Sequence, residues 1–168
     1  MINLQIEGPL DDVGMQILEA LQRDARISFS ELGRQIGMSP PAVAERVRRM
    51  EDAGIITGYH AQVNLAKVGF PITAFVRVNA GRHCSQLGSI LKSVPEVMEY
   101  HRVTGDDSGI IKLVVSSVAH LEVVIDQLAS YGTTTTSIVL SNPITERIIT
   151  REMMCHEDKA TVLEVQAG

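Results

Sequence analysis

The sequence predicts an α+β protein with an N-terminal winged-type helix-turn-helix domain and a C-terminal ferredoxin-like (βαββαβ) domain. Two observations carry this prediction. In residues 28–50, SFSELGRQIGMSPPAVAERVRRM, two short helical patterns flank a tight turn at Gly37-Met38-Ser39, and the second pattern ends in an arginine cluster. Between residues 70 and 150, strand and helix patterns follow one another as β-α-β and again β-α-β, the split pattern of a ferredoxin-like domain.

Composition limits the classes of protein that the chain can represent. Its 168 residues, of which 45% are hydrophobic, are enough for one ordinary domain or two small ones. We expect no membrane span, since no run of about eighteen apolar residues occurs, and no secretory signal at the N-terminus. The two cysteines, Cys84 and Cys155, are too few for a disulfide framework, so a reducing cytoplasm is the predicted location.

The charge of the chain is unevenly distributed. A net charge of −5 argues weakly against nucleic acid as a partner. Residues 28–50, however, carry four arginines against two glutamates. A phosphate backbone senses such a local excess, because charges act over a Debye length of about 8 Å. The acidic remainder predicts modest affinity for each copy, made useful when two or more copies bind one DNA.

Caps and apolar faces predict the first two helices. The first spans Leu10–Asp24, with Asp11 or Asp12 as its N-cap and Gly14 in its first turn. The second begins after Ser28 or Ser30. Together with the helix that follows the turn, they are predicted to share one small core: Ile17, Leu21, Leu32, Ile36, Val43, Val47 and Met50.

The helix after the turn has one apolar stripe and one charged face. Ser39 is predicted to cap it through its hydroxyl, and Pro40-Pro41 suit a first turn whose N–H groups have no partners. The stripe is spaced i, i+4 and i+7. The opposite side carries Pro41, Glu45, Arg48 and Arg49, flanked by Ala42 and Arg46. This pattern fits a DNA-recognition helix, and it also fits an ordinary two-helix hairpin that binds nothing.

The rest of the chain is divided by turn residues. Gly54 is predicted to end the third helix, and residues 55–59 to form a short strand or small wing. We expect a first domain over residues 1–59, a linker over 60–69, a second domain over 70–150 and a C-terminal extension over 151–168.

Within the second domain the strands and helices follow from alternation and helical spacing. The ferredoxin-like fold leaves one sheet face bare of helices, so this domain is expected to dimerise. Residues 141–150 are expected to be extended. The predicted elements are strands at Ile72–Ala80, Val97–Thr104, Ile110–Ser116 and Thr134–Leu140 and helices at Cys84–Val94 and Val118–Ser130, the last with Val118, Leu121, Ile125 and Leu128 on its buried stripe.

No catalytic or metal-binding pattern emerges. The histidines are scattered, and the adjacent side chains of Cys155 and His156 would point apart on a helix or strand. We therefore predict no enzyme activity, no metal and no cofactor. The histidines are His60, His83, His101, His120 and His156.

The loop between the second and third strands is the best small-molecule candidate. Gly105, Asp106, Asp107 and Ser108 place two carboxylates and a hydroxyl on a glycine-flanked turn. Main-chain N–H groups there could hold a carboxylate while an acidic side chain holds an ammonium, which is what a free amino acid requires. The alternative is a solvated turn rich in Asp and Gly.

Two segments resemble the leucine-responsive/asparagine-responsive regulator (Lrp/AsnC) family of transcription factors. They are LDDVGMQILEALQRDARISFSELGRQIGMSPPAVAERVRRMEDAGIITGY and VTGDDSGIIKLVV, in register across roughly residues 10–150. The first is similar to the family's L-D-x-x-D-x-x-I-L, R-I-S, G-L-S, E-R-V-R-R-L-E and G-x-I-x-G-Y motifs, in that order.

The resemblance implies a homodimer, often assembling to an octamer, that binds double-stranded DNA and responds to an amino-acid effector. The second domain would bind the effector at the interface between copies, around Gly105–Ser108, and mediate oligomerisation. Two departures stand out. Gly14 replaces the family's usual Asp, and Ser108 and Gly109 stand where a second Asp and an aromatic residue are common. The second departure predicts a different effector, or none.

The recognition surface is predicted around the helix after the turn, with an arginine pairing to guanine or Glu45 accepting from cytosine. Two other functions stay open. Siroheme decarboxylases share the two-part design, and an effector-sensing protein with a vestigial helix-turn-helix would also fit. The residues predicted at or near the major groove are Ser39, Pro41, Ala42, Glu45, Arg46 and Arg49, with Arg48 and Arg26 closer to phosphates.

Overall fold

The computed structural model describes residues 10–81, 84–145 and 147–154. The chain divides into two compact units. Unit 1 comprises residues up to His60 together with those from Ile144 onward, and unit 2 comprises Ala61–Pro143. The elements are α1 (Asp12–Arg23), α2 (Phe29–Ile36), α3 (Pro40–Asp52), a 3-10 turn (Leu65–Val68), β1 (Ile72–Asn79), α4 (Cys84–Leu91), β2 (Val97–Arg102), β3 (Gly109–Val115), α5 (Val118–Ala129), β4 (Thr133–Ile138) and α6 (Arg151–Met154).

Unit 1 contains the three predicted helices around one core. Asp11 caps α1, since its carboxylate accepts from the Gly14 N–H at 2.8 Å, and Ser28 caps α2 by accepting from the Glu31 N–H at 3.1 Å. Six of the seven predicted core residues are buried, and Ile36 is only partly buried against them. Helix α3 ends as predicted, with Gly54 in the left-handed region directly after the Ala53 cap.

Unit 2 is a four-stranded antiparallel sheet in the order β2-β3-β1-β4. Helices α4 and α5 pack against one face and form with it a single core. The chain order β-α-β-β-α-β and this strand order confirm the predicted ferredoxin-like arrangement. On the other face Phe75 is 40% exposed, so a large apolar side chain lies on the side that no described helix covers.

Several local predictions are wrong. Of the two alternatives for residues 55–59, the short strand is wrong, because no described segment of the chain pairs with them. Val118 is 64% exposed and Ile125 is only partly buried, because the face of α5 that packs on the sheet is formed by Leu121, Val124 and Leu128, spaced i, i+3 and i+7. The predictions for His83, Cys155, His156 and residues 155–168 lie outside the described residues.

The turn between α2 and α3 depends on a close backbone approach. Gly37 adopts φ 72°, and the Met38 N–H donates to the Gly33 carbonyl at 2.8 Å. A Cβ at position 33 would overlap the Met38 carbonyl oxygen. Gly33 is therefore required because the Met38 main chain lies directly against α2.

Replacing the helix-interior glycines by alanine has opposite expected effects. Gly33→Ala destabilises unit 1 by about 1–3 kcal/mol through overpacking. Gly88→Ala is the control in α4: its Cβ meets only the Tyr100 ring at 3.7 Å, an ordinary contact, so alanine stabilises that helix by about 0.5–1 kcal/mol. Urea denaturation followed by circular dichroism measures both. Equal effects of the two alanines would contradict this account.

Candidate nucleic-acid interface and effector loop

Helix α3 buries one stripe and presents the other side to solvent. Val43, Val47 and Met50 are each at most 3% exposed and anchor α3 in the unit 1 core. The predicted DNA-contacting residues all lie off this stripe. Ser39, Pro41, Arg48 and Arg49 are exposed, and Ala42, Glu45 and Arg46 are half-buried on α3, whereas Arg26 is exposed in the connection between α1 and α2.

The N-terminus of α3 differs from the prediction in one respect. Ser39 is the N-cap residue, but its hydroxyl makes no capping hydrogen bond. Pro40 and Pro41 occupy the first two helical positions and have no N–H, so fewer donors remain for a cap to satisfy. The hydroxyl of Ser39 is thus not committed to α3 as a cap.

Glu45 is a carboxylate held between two arginines on α3. Its Oε1 accepts from Arg49 Nε at 3.0 Å, and its Oε2 accepts from Arg48 Nε at 3.2 Å. These hydrogen bonds, that of Arg49 first, lower the pKa of Glu45. The three side chains together carry one positive charge. Glu45 is therefore an acceptor in the centre of the outer face, and it holds both guanidinium groups along the helix.

Arg46 has a different partner from its neighbours. Its Nη1 lies 2.6 Å from Asp11 Oδ1, the oxygen that also accepts from the Gly14 N–H at the start of α1. The Arg46 hydrogen bond, followed by that of Gly14, lowers the pKa of Asp11. This contact ties α3 to the N-terminus of α1. Sequence reasoning placed Arg46 on the DNA-facing flank and missed Asp11 as its partner, because the two residues are 35 positions apart.

The loop that connects β2 and β3 is bound to the end of β1. The Ser108 N–H donates to the Val78 carbonyl at 2.7 Å, and the Ser108 hydroxyl accepts from the Ala80 N–H at 3.0 Å. Asn79 donates from Nδ2 to the Asp106 carbonyl at 2.7 Å. Ser108 thus extends the contact between β3 and β1, so its hydroxyl serves the loop's attachment.

The predicted effector residues differ in their exposure. Gly105 adopts φ 110° and is exposed, as is Asp106, whereas Asp107 and Ser108 are half-buried. Asn79 also lines a hollow of about 430 Å³ at the end of β1. The loop and this hollow therefore share Asn79, which the sequence marked only as a polar position on β1. The hollow is lined by Asn79, Ala80, Gly81, Ala129, Ser130, Tyr131, Gly132 and Thr133.

Two features are absent from residues 10–81, 84–145 and 147–154. No helix there has an apolar stretch of the length that a bilayer requires. In the same part of the chain, no three His, Cys, Asp or Glu side chains are grouped so that they could hold a metal ion.

Comparison with known families identifies both units. Residues 10–51 match the AsnC-type helix-turn-helix domain. Residues 73–149 match the Lrp/AsnC ligand binding domain.

Individual relatives agree with these matches over most of their length. An uncharacterized HTH-type transcriptional regulator of Bacillus subtilis, YezC, is 42% identical over 79% of this chain and 95% of its own. The solved structure of B. subtilis LrpC has a TM-score of 0.77 and 32% identity, covering 81% of this chain and 98% of LrpC. The solved structure of the feast or famine regulatory protein of M. tuberculosis, complexed with L-methionine, has a TM-score of 0.76 and 28% identity. The match covers 83% of this chain and 98% of that protein's chain.

The ion pair of Asp11 predicts a pH-dependent contribution to stability. The pKa of Asp11 lies below its ordinary value of 3.8, so its contribution is present above that pH and is lost as pH falls through the folded-state pKa. Asp11→Asn retains a capping oxygen and removes the charge. We expect the substitution to lower the free energy of unfolding by up to about 1 kcal/mol at neutral pH, because the carboxylate is partly exposed.

The difference in the free energy of unfolding between wild type and Asp11→Asn should shrink as pH falls well below 3.8. Urea denaturation at a series of pH values measures it, with Asp126→Asn, an exposed position of α5, as the control. A difference that is constant over the whole series would show that the charge of Asp11 contributes nothing.

Proposed function

The chain belongs to the Lrp/AsnC family of transcriptional regulators, and we propose that it binds double-stranded DNA sequence-specifically through α3. The observation that carries this proposal is the outer face of α3, where Arg48 and Arg49 are exposed on a helix anchored by its opposite stripe. A helix of this kind enters the major groove and brings exposed side chains near base edges. The relatives are named as transcriptional regulators, so we propose no catalytic activity and a place of action in the cytoplasm.

Each predicted contact has a proposed role. Arg49 and Glu45 are proposed to read bases, Arg48 and Arg26 to contact phosphates, and Arg46 to orient α3 through Asp11. The ion pairs of Glu45 with Arg48 and Arg49 support DNA-contacting roles for both arginines. In the complex, DNA can replace Glu45 as the partner of each guanidinium group. Ser39, Pro41 and Ala42 are proposed to approach the groove, and they lie at or just before the first turn of α3.

Two copies are proposed to act together through the bare face of the sheet in unit 2. Phe75 lies there on β1, beside an ion-paired cluster in which Glu99 accepts from Lys112 at 2.7 Å and lies 3.1 Å from His101. Burial of this face in a homodimer would remove Phe75 from water and keep the charges paired. Dimers of this kind are proposed to assemble further, for instance to an octamer.

The loop Gly105–Ser108 is proposed as the effector site, with an amino acid as its ligand. The complex of the M. tuberculosis relative with L-methionine supports this ligand class. Asp106 and Asp107 would hold the ammonium, and main-chain N–H groups the carboxylate. Ser108 is proposed to fix the loop to β1 rather than to contact the effector, because its hydroxyl accepts from Ala80.

Arg49→Ala tests the recognition helix. If Arg49 reads a base, the substitution costs on the order of 1–3 kcal/mol and relaxes specificity at one base pair. If it contacts only phosphate, affinity falls evenly over all sequences and the salt slope decreases by about one. Binding is measured on DNA selected by the purified protein, which should contain two half-sites about one helical turn apart.

The matched control for Arg49 is Arg23→Ala on α1. Arg23 pairs with Glu19 four residues earlier at 3.0 Å, as Arg49 pairs with Glu45. It should leave both affinity and salt slope unchanged. If Arg49→Ala behaves like this control, Arg49 is not in the interface.

A thermal-shift screen of the twenty amino acids tests the effector loop. A ligand at one hundred times its dissociation constant stabilises the folded state by about 2.7 kcal/mol, which raises the melting temperature by several degrees. Asp107→Asn should abolish the shift, whereas Asp126→Asn on α5 should retain it. No shift with any of the twenty, or an equal shift in the Asp107 variant, would remove the amino-acid site from this loop.

A further inference from the structure

Residues 147–154 return to the DNA-binding unit and lie along helix α1. We name this segment the clasp. Gln22 contacts both main-chain groups of Ile149: its Oε1 accepts from the Ile149 N–H at 2.8 Å, and its Nε2 donates to the Ile149 carbonyl at 3.0 Å. These two hydrogen bonds are the ones that a neighbouring β-strand would make. One side chain of α1 therefore satisfies the backbone of a segment 127 residues further along the chain.

A second pair of contacts continues the clasp towards the start of α1. Glu19 accepts from the Arg151 N–H at 3.2 Å, and the Arg151 guanidinium lies 2.8 Å from Asp12 Oδ1. At about 100° per residue, Asp12, Glu19 and Gln22 lie within roughly 80° of one another on α1. They therefore lie on one side of α1, away from Ile17 and Leu21, and share that side with the buried Met15.

The clasp also borders a hollow of unit 1. The side chains of Ile149 and Met154 line a hollow of about 480 Å³ together with α1 and the segment that follows α3. Leu21 of the unit 1 core and Ile55 lie on its walls. The clasp thus belongs to unit 1 by hydrogen bonds and charge, and two of its apolar side chains line a hollow of that unit.

Because of the topology of unit 2, the chain connects it to unit 1 at two places. The chain enters unit 2 before β1 and leaves it after β4, and these two strands are antiparallel neighbours. The Val139 N–H donates to the Thr73 carbonyl at 2.9 Å, so the two strands remain joined where the chain enters and leaves. Unit 2 is therefore connected to unit 1 twice, once through residues 61–71 and once through residues 139–143.

We propose that the clasp is a second tether that restricts how the helix-turn-helix can orient on the dimerising unit. This inference rests on the proposed function, because it concerns the joint binding of two half-sites by two copies. A single flexible linker allows many orientations, which lowers the effective concentration of the second recognition helix once the first is bound. Two connections remove many of these orientations. Gln22 is then a positioning residue for DNA binding, although it contacts no DNA.

Gln22→Ala in the full chain tests the clasp itself by hydrogen exchange. The substitution removes both hydrogen bonds to Ile149, so the amides of Ile149 and Arg151 should exchange at least about tenfold faster. Gln16→Ala is the matched control, since Gln16 is an exposed residue of the same helix and is not one of the polar partners of the clasp. Unchanged exchange in Gln22→Ala would overturn the clasp.

Measurements of DNA binding test whether the clasp affects the joint binding of two half-sites. In Gln22→Ala, affinity for DNA with one half-site should stay within about twofold of wild type, while affinity for DNA with two half-sites falls by about tenfold. If Gln22 only stabilised the fold, its substitution would lower both affinities equally. Either that result or no change in either affinity would overturn the tether. If wild type binds no DNA, the proposed function and the tether both fail, whereas the exchange experiment still decides whether the clasp forms.

Discussion

The carbonyl of Met38 occupies the space that a side chain at position 33 would need, and this contact sets the geometry of the whole DNA-binding unit. The turn can be this tight because Gly33 has no Cβ and Gly37 accepts a left-handed backbone. Helix α3 leaves the turn in a direction that buries Val43 against the core. The same direction turns Arg48 and Arg49 towards solvent, so the exposure of the residues proposed to contact DNA depends on the turn that precedes α3.

The arginines of this surface are held by carboxylates in the free protein. Glu45 holds Arg48 and Arg49 along α3, whereas Asp11 draws Arg46 towards α1. Binding to DNA would then be an exchange of partners, in which phosphates and base edges replace carboxylates. Such an exchange is consistent with an acidic chain that binds a polyanion, because the positive charge is concentrated where contact is made.

Strand β1 organises the second unit in a comparable way. It lies between β3 and β4, its buried residues form the centre of the core, and its end at Asn79 holds the loop proposed to bind the effector. β1 and β4 also carry the two connections of the chain to unit 1.

Much of this organisation could be predicted from the sequence, since the signals are local. The glycine at position 37 and the apolar stripe of α3 act within a few residues and were predicted correctly, whereas Asp11 and Ser28 were each one of two candidate caps and the structure selects them. Strand alternation likewise predicted the order of elements in unit 2. Where the prediction was wrong, as at residues 55–59 and Val118, the outcome depended on which segment was available to pair or pack.

The sequence by itself therefore determined the elements, the family motifs and the set of charged residues on α3. Only the tertiary structure decided which partners those residues have: Asp11 for Arg46, Ala80 for the hydroxyl of Ser108, and Gln22 for the backbone of Ile149. These pairs are separated by 28 to 127 positions, and no local pattern records them. They arise because packing of the cores brings distant polar groups together, whether these are half-buried, as at Asp11 and Ser108, or exposed, as at Gln22.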